Sequence, residues 1–151
     1  MSDIRTRYID LDHGLDFVLL APGLETDEGL ETAVVISLFT DRRALESDTL
    51  PPGSSDRRGW WGDSRPPVQD DQIGSRLWLL TREKQLSGGL QRAREYAEEA
   101  LQWLVDDGVA AALDVLATNP RDGLLALSVS IQRSGDAAPT LFRFETLWSN
   151  T

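Results

Sequence analysis

The sequence predicts an α+β fold in which two principal helices pack on a C-terminal three-stranded antiparallel meander. Two stretches space their apolar residues as helices do, and three shorter stretches near the C-terminus have the pattern of strands. An N-terminal hairpin and a long irregular central loop complete the predicted arrangement. With 151 residues, the chain suits one domain covering residues 1–151, large enough to bury a core without disulfides or metal.

The N-terminal part is predicted to form a hairpin and then the first helix. The hairpin covers residues 7–20 and turns at His13-Gly14, because glycine tolerates the positive φ of a tight turn. The helix is predicted over residues 24–39, with acidic residues in its first turns, where they complement the helix macrodipole. Its last turns are apolar nearly all round, so we expect burial by its own domain or by a partner.

The strongest helical pattern covers residues 90–106. Ser87 is the predicted N-cap, and Gly108 is the predicted terminating glycine. One side of this helix carries an apolar stripe, and Arg94 and Glu98 form an i,i+4 pair on its surface. The stripe consists of Leu90, Ala93, Ala97, Ala100, Leu101 and Leu104. The short run at 77–80 favours a helix, since no breaker follows it directly.

Three strands are predicted at residues 112–118, 124–133 and 141–148. The middle strand alternates clearly, and one of its faces consists of Leu125, Leu127, Val129 and Ile131. Residues 119–123 and 135–139 connect the strands. Because these connections are short, we expect antiparallel neighbours.

The central loop, residues 41–73, is the most informative stretch for function. Loops of this length in a compact domain are usually functional or disordered, and a tryptophan pair argues against simple disorder. Trp and Arg cluster in the loop and directly after it, and both residue types contribute strongly to interfaces. We therefore predict a partner interface composed of Arg42, Arg43, Arg57, Arg58, Trp60, Trp61, Arg76 and Trp78.

Two of these assignments have alternatives. Arg42 and Arg43 either form an interaction corner or balance the C-terminal dipole of the preceding helix. Trp60 and Trp61 either face a partner or fold back into the protein's own core. Adjacent side chains tend to point apart, which makes core burial of both rings the less favoured arrangement.

The sequence predicts no catalytic residue, no cofactor and no metal site. The absence of Cys removes thiol catalysis and zinc–thiolate sites, and His13 is the only histidine. The acidic residues at 10, 12 and 16 lack the remaining positions of a calcium-binding EF-hand loop. Ser87-Gly88-Gly89 lacks the lysine of a phosphate-binding loop and is interpreted as a helix cap.

Charge and hydropathy narrow the classes of partner. The net charge is −10, while residues 41–82 balance seven Arg against seven acidic residues. We therefore expect no nucleic-acid partner and no anionic membrane partner. No apolar run approaches the roughly 20 residues of a membrane-spanning helix. The N-terminus lacks a signal-peptide pattern, so synthesis and folding are expected in the cytoplasm.

Four segments together resemble a known family. They are Thr-Asp-Arg-Arg-Ala at 40–44, Gly-Trp-Trp-Gly-Asp at 59–63, Ile-Gly-Ser-Arg-Leu-Trp-Leu-Leu at 73–80 and Ala-Glu-Glu-Ala-Leu-Gln-Trp-Leu at 97–104. This signature is similar to the tail proteins of Mu-like phages and prophages, the family of the forty-sixth gene product of phage Mu. The resemblance covers nearly the whole chain.

The resemblance implies a structural, wedge-type subunit of a contractile-tail baseplate, without catalysis or cofactor. It also implies a more distant kinship with the small wedge protein that packs near the central spike. Its partners would be other wedge and spike-proximal tail proteins, met in the cytoplasm during assembly and retained in the virion. Two alternatives stay open: a cell-wall hydrolase at the tail tip, and a prophage-encoded binding module that acts outside a tail.

Overall fold

The computed structural model describes residues 3–4, 6–10, 14–17, 19–20, 23–24, 26–27, 29–66, 69, 71–82 and 88–147. Side chains are described for 29–66, 69, 71–80 and 88–147. The strands are β1 (Asp3–Ile4), β2 (Thr6–Asp10), β3 (Gly14–Phe17), β4 (Leu19–Leu20), β5 (Gly23–Leu24), β6 (Thr26–Asp27), β7 (Ala112–Arg121), β8 (Leu124–Gln132) and β9 (Thr140–Leu147). The α-helices are α1 (Leu30–Phe39) and α2 (Gly89–Asp106), and short 3₁₀ helices cover Trp61–Ser64 and Leu77–Arg82.

The N-terminal strands form antiparallel pairs. Strand β2 pairs with β3 in a register that runs from Thr6 opposite Phe17 to Asp10 opposite Gly14, which confirms a hairpin. The predicted turn position of Gly14 is wrong, because this residue lies in β3 and pairs with Asp10. His13, at the predicted turn, lies outside the described residues. Strand β4 pairs with β5, and β1 pairs with β6. Of these four segments, β4 lies within the predicted hairpin, whereas the sequence pattern did not identify β1, β5 and β6 as strands.

Helix α1 begins at Leu30, so the predicted start at residue 24 is wrong. The residues expected to form its first turns belong instead to β5 and β6, whose backbones pair with other strands. Gly29 occupies the N-cap with φ 87°, a left-handed conformation that a right-handed helix cannot continue through. The helix is buried on most of its faces, as predicted. Its buried residues are Thr32, Val34, Val35, Ser37 and Leu38. Ile36 stays exposed.

Helix α2 confirms the strongest sequence pattern. Its buried side is formed by Ala93, Ala97, Ala100, Leu101 and Leu104. Leu90 belongs to the predicted stripe but remains partly exposed. The N-cap position is Gly88, whereas the predicted cap Ser87 lies outside the described residues. Arg94 and Glu98 form the expected ion pair at 2.8 Å, and the C-terminal turn closes with the Gly108 N–H donating to the Val105 carbonyl.

The C-terminal sheet is the predicted antiparallel meander, with strand order β7-β8-β9. Strand β7 extends past the predicted end at residue 118, and its register with β8 shifts between Thr118 and Arg121. Pro120 lies in this irregular part of an edge strand, where a missing N–H costs no ladder bond. The predicted alternation of β8 is confirmed, since Leu125, Leu127, Val129 and Ile131 are all buried. Trp148 lies outside the described residues.

The core lies where α2 packs on β7 and where α1 packs on α2. The small residues of α2 let the sheet approach closely, and leucines from both helices fill the space between the layers. A second, smaller cluster lies beneath the central loop and consists of Ala44, Trp78 and Leu79, with Leu50 and Tyr96 against it. No helix among the described residues is both long enough and apolar enough to cross a membrane.

Candidate protein-binding surface

The two ends of the central loop are fastened to each other at the end of α1. The Ser75 N–H donates to the Thr40 carbonyl at 2.8 Å, and the Arg42 N–H donates to the Ser75 carbonyl at 3.0 Å. The buried Ser75 hydroxyl donates to the Leu38 carbonyl at 2.5 Å and so satisfies a helix-end acceptor. Gly74 makes this approach possible, because a Cβ there would lie 2.3 Å from the Thr40 oxygen.

Within the loop, the segment after Arg42 runs beside the segment that precedes the tryptophan pair. The Ala44 N–H donates to the Arg57 carbonyl at 2.9 Å. The Arg57 guanidinium donates to the Leu45 carbonyl and lies 3.5 Å from the Glu46 carboxylate. Arg57 therefore stabilises the conformation of the loop. The stretch around it is ordered even though it has no regular secondary structure.

Arg58 joins the loop to the smaller hydrophobic cluster. Its guanidinium carbon lies 4.6 Å from the centre of the Trp78 ring, and its Nη1 donates to Asp41 at 2.8 Å. Arg58 has a positive φ of 50°, and its N–H donates to the Asp56 carboxylate at 2.8 Å. A left-handed backbone costs about 1–2 kcal/mol in a non-glycine residue, so these contacts hold a conformation that would otherwise be unfavourable.

Trp78 lies inside the fold. Only 5% of its surface is exposed, and its indole N–H donates to the Arg42 carbonyl at 2.7 Å. In the isolated chain this ring is therefore covered by Arg58 and the loop, whereas the sequence placed it at a partner interface. The 3₁₀ helix that carries it is too short to reveal a buried side by its periodicity.

Arg76 is also held by internal partners. Its Nη1 donates to Asp48 at 2.8 Å, its Nε donates to Glu99 at 2.9 Å, and its guanidinium carbon lies 4.6 Å from the centre of the Tyr96 ring. Burial lowers the pKa of Arg76, but hydrogen bonds and charge from Glu99 and Asp48 outweigh that effect and hold it above its usual value. The side chain thus links the central loop to α2 as a permanent cation.

Trp60 and Trp61 are exposed in the isolated chain, by 43% and 82% respectively. Their ring centres lie 5.3 Å apart, and the Trp60 indole lies across the backbone of Gly62. The short helix that begins at Trp61 is closed by the Ser64 hydroxyl, which donates to the Trp61 carbonyl at 2.8 Å. Neither ring fills the hydrophobic core, so the own-core alternative for this pair is wrong.

Arg42 and Arg43 lie beyond the end of α1. Arg42 donates through Nε to the Gln72 side chain at 3.2 Å, and Arg43 donates through Nη1 to the Arg58 carbonyl at 3.5 Å. Within the described residues, neither guanidinium donates to a carbonyl of α1. The hydrogen bonds therefore favour a role in shaping the loop surface over a role in capping the helix.

A groove of about 580 Å³ lies between α1, the central loop and the C-terminal end of α2. Its walls include the exposed apolar faces of Ile36 and Trp103 together with the Trp60 ring. The Trp103 indole N–H donates to the Ser37 hydroxyl at 3.0 Å, which fixes the orientation of that ring. The position of Trp103 beside the buried stripe of α2 was the available sequence signal that it faces this groove.

These features define the class of protein: a small α+β domain with an ordered central loop that exposes aromatic rings beside guanidinium groups. Such surfaces suit contact with another protein. Among the residues described by the structure, no group of three or more His, Cys, Asp or Glu side chains is arranged to hold a metal ion. His13, the single histidine of the sequence, and Ser87, the predicted helix cap, lie outside that part of the chain.

The particular family follows from comparison with known proteins. The family model described as Phage protein GP46 matches residues 30–138. Baseplate protein gp46 of Escherichia phage Mu is 58% identical over 106 residues, which cover 70% of this chain and 71% of that protein. Mu-like prophage FluMu protein gp46 of Haemophilus influenzae is 45% identical over 116 residues, 77% of each chain. The chain belongs to the phage protein GP46 family.

The family assignment made from the sequence is therefore confirmed. All four segments that carried the resemblance lie inside the matched range of residues 30–138. That range also contains both α-helices, the central loop and strands β7 and β8. The more distant kinship with the small wedge protein stays a prediction.

Proposed function

We propose that the chain is a structural subunit of the baseplate of a Mu-like contractile tail and acts through protein contacts. The observation that carries this proposal is the 58% identity to a protein named Baseplate protein gp46. The exposed pair Trp60 and Trp61 supports it, because large rings presented by an ordered loop become favourable contacts once another chain covers them.

The contact surface is formed by residues on the outside of the loop, while others support it from within. Trp60, Trp61 and Arg43 present rings and charge to the exterior. Three guanidinium groups donate hydrogen bonds within the loop and also contribute to its surface; they belong to Arg42, Arg57 and Arg58. Arg76 and Trp78 support this surface through contacts inside the fold. Because the loop is already ordered, binding loses little conformational freedom in its backbone.

The partners are other wedge and spike-proximal tail proteins. The subunit meets them in the cytoplasm during assembly and remains in the virion as part of the baseplate. Nucleic acid and anionic membranes are poor partners for a chain of net charge −10. The chain has no catalytic role in this proposal, so wall digestion by the tail would require another protein.

The proposal is tested by deleting the gene in the phage that encodes this chain and examining the induced particles by electron microscopy. We expect heads without intact contractile tails, and recovery of tails when the wild-type chain is supplied in trans. The double variant Trp60→Ala/Trp61→Ala should fold normally but fail to restore tails. Normal tails in the absence of the chain would contradict the proposal. Cell-wall lysis by the purified chain, abolished by one carboxylate substitution, would support the hydrolase alternative instead.

A further inference from the structure

The groove between α1, the central loop and α2 has the composition of a binding site for a cationic side chain. Its apolar walls are provided by Ile36, which is 42% exposed, Trp103, which is 39% exposed, and the Trp60 ring. Its volume of about 580 Å³ can hold several side chains of a partner segment. Three exposed large apolar groups on one concave surface are unfavourable in water until something covers them.

The polar groups of the groove are acidic. Asp63, Asp71 and Asp107 line it, and no Lys or Arg is present among its described lining residues. Asp63 is only half used: its Oδ1 accepts the Ile73 N–H at 3.3 Å, whereas its Oδ2 is buried without a hydrogen-bond partner among the described residues. A carboxylate oxygen that is removed from water without a donor is costly, so a cationic donor that reached Oδ2 through a small movement of the groove wall would be favourable.

An arginine can cover the apolar walls of the groove and donate to its carboxylate at the same time, better than the other side chains can. Its planar guanidinium stacks on indole faces and donates to a carboxylate at the same time. Its aliphatic stem, with apolar neighbours in the segment, would cover Ile36 and the two rings. The chain itself already uses this pairing, since Arg58 lies over Trp78 while donating to Asp41.

We propose that this groove binds an arginine, flanked by apolar residues, from a segment of another tail protein, with Asp63 as the charge partner and Trp60 and Trp103 as the rings. The identity of the partner as a tail protein rests on the proposed function. The groove is a second contact, separate from the exposed Trp61 ring, so the subunit would hold its partner at two positions on the same loop.

The test compares two peptides that differ only in charge: N-acetyl-Leu-Arg-Leu-amide and its citrulline counterpart, each titrated to millimolar concentration against the isotope-labelled full chain. We expect the arginine peptide to shift the indole N–H signals of Trp60 and Trp103, and to bind about tenfold more tightly than the citrulline peptide. Asp63→Asn should remove this preference. Asp136→Asn, in an exposed connection, is the matched control and should preserve it.

A stability measurement separates binding from folding. Asparagine at position 63 keeps an oxygen for the Ile73 N–H but removes the unpaired charge, so Asp63→Asn should leave the melting temperature unchanged or raise it.

Equal affinity for both peptides, or no shift of the two indole signals, would overturn the proposal. Shifts caused by calcium chloride alone would indicate a metal site, and shifts that depend on protein concentration would indicate a second copy; either result would also overturn it. If particles that carry Asp63→Asn assembled normal tails, the proposed groove contact would be contradicted and the proposed baseplate role would stand.

Discussion

The indole of Trp60 lies across Gly62 so closely that a Cβ at position 62 would come within 2.1 Å of its Cζ3 atom. Gly62 therefore sets the position of an exposed ring that borders the groove and stands beside Trp61. The backbone of the loop, and not only its side chains, determines what the surface presents.

The variant Gly62→Ala should displace the Trp60 ring while leaving the fold intact. We expect the free energy of unfolding to change by less than about 1 kcal/mol, because the ring is partly exposed. Tail assembly should fall by about tenfold or more, as expected for loss of an interface ring. In a Trp60→Ala background, Gly62→Ala should cause no further loss of assembly. An additive loss in the double variant would show that Gly62 acts independently of the ring.

Trp61 and Trp78 should respond to truncation in opposite ways. Trp78→Ala removes a buried ring from the smaller cluster and should lower the free energy of unfolding by about 3–5 kcal/mol. Trp61→Ala removes an exposed ring and should change it by less than about 0.5 kcal/mol. Urea denaturation of the two variants measures this contrast. Similar losses in both would mean that Trp61 is part of the fold in solution.

Replacing Arg76 with glutamine should weaken the attachment of the central loop to α2. We expect a loss of about 2–3 kcal/mol in unfolding free energy, below the full cost of breaking a buried ion pair because Glu99 is partly exposed to solvent. The raised pKa of Arg76 means that its contribution is complete below its usual pKa and is lost only above the raised value. The difference between wild type and Arg76→Gln should thus stay constant from about pH 6 to about pH 10. A difference that declines over this range would contradict the assignment.

The closure of the central loop can be tested with two glycine variants. Gly74 and Gly135 have similar positive φ values, 97° and 93°, but only Gly74 is crowded by neighbouring backbone. Gly135→Ala should cost about 1–2 kcal/mol from its conformation alone. Gly74→Ala should cost more, since its Cβ would collide with the Thr40 carbonyl and break the pairing of Ser75 with the end of α1. Equal melting temperatures for the two variants would show that the close approach is not needed.

Sequence pattern predicted the elements whose structure is determined locally. Helix α2 follows from the spacing of its alanines and leucines, and β8 follows from strict alternation. The start of α1 was wrong because the pairing of β5 and β6 is non-local and overrides helical spacing. The helix begins only after Gly29, whose left-handed backbone conformation occupies the N-cap position.

The central loop shows why the site was only partly predictable. Trp60 and Trp61 were identified from residue type alone. Both rings are exposed in the isolated chain, and their role in an interface stays a prediction. The internal positions of Arg76 and Trp78 depend on distant partners such as Asp48 and Arg42, which no periodicity reveals. The groove was missed for the same reason, because Ile36, Trp60 and Trp103 come together only when the loop folds against both helices.

The most direct measurement is hydroxyl-radical footprinting of Trp61 in the free chain and in assembled tails, with the oxidation of each tryptophan quantified by mass spectrometry. Trp61 should oxidise readily in the free chain and be protected by about tenfold or more in the tail, while the buried Trp78 should oxidise slowly in both. Equal oxidation of Trp61 in the two states would show that no other chain covers the ring, and would contradict its proposed role in assembly.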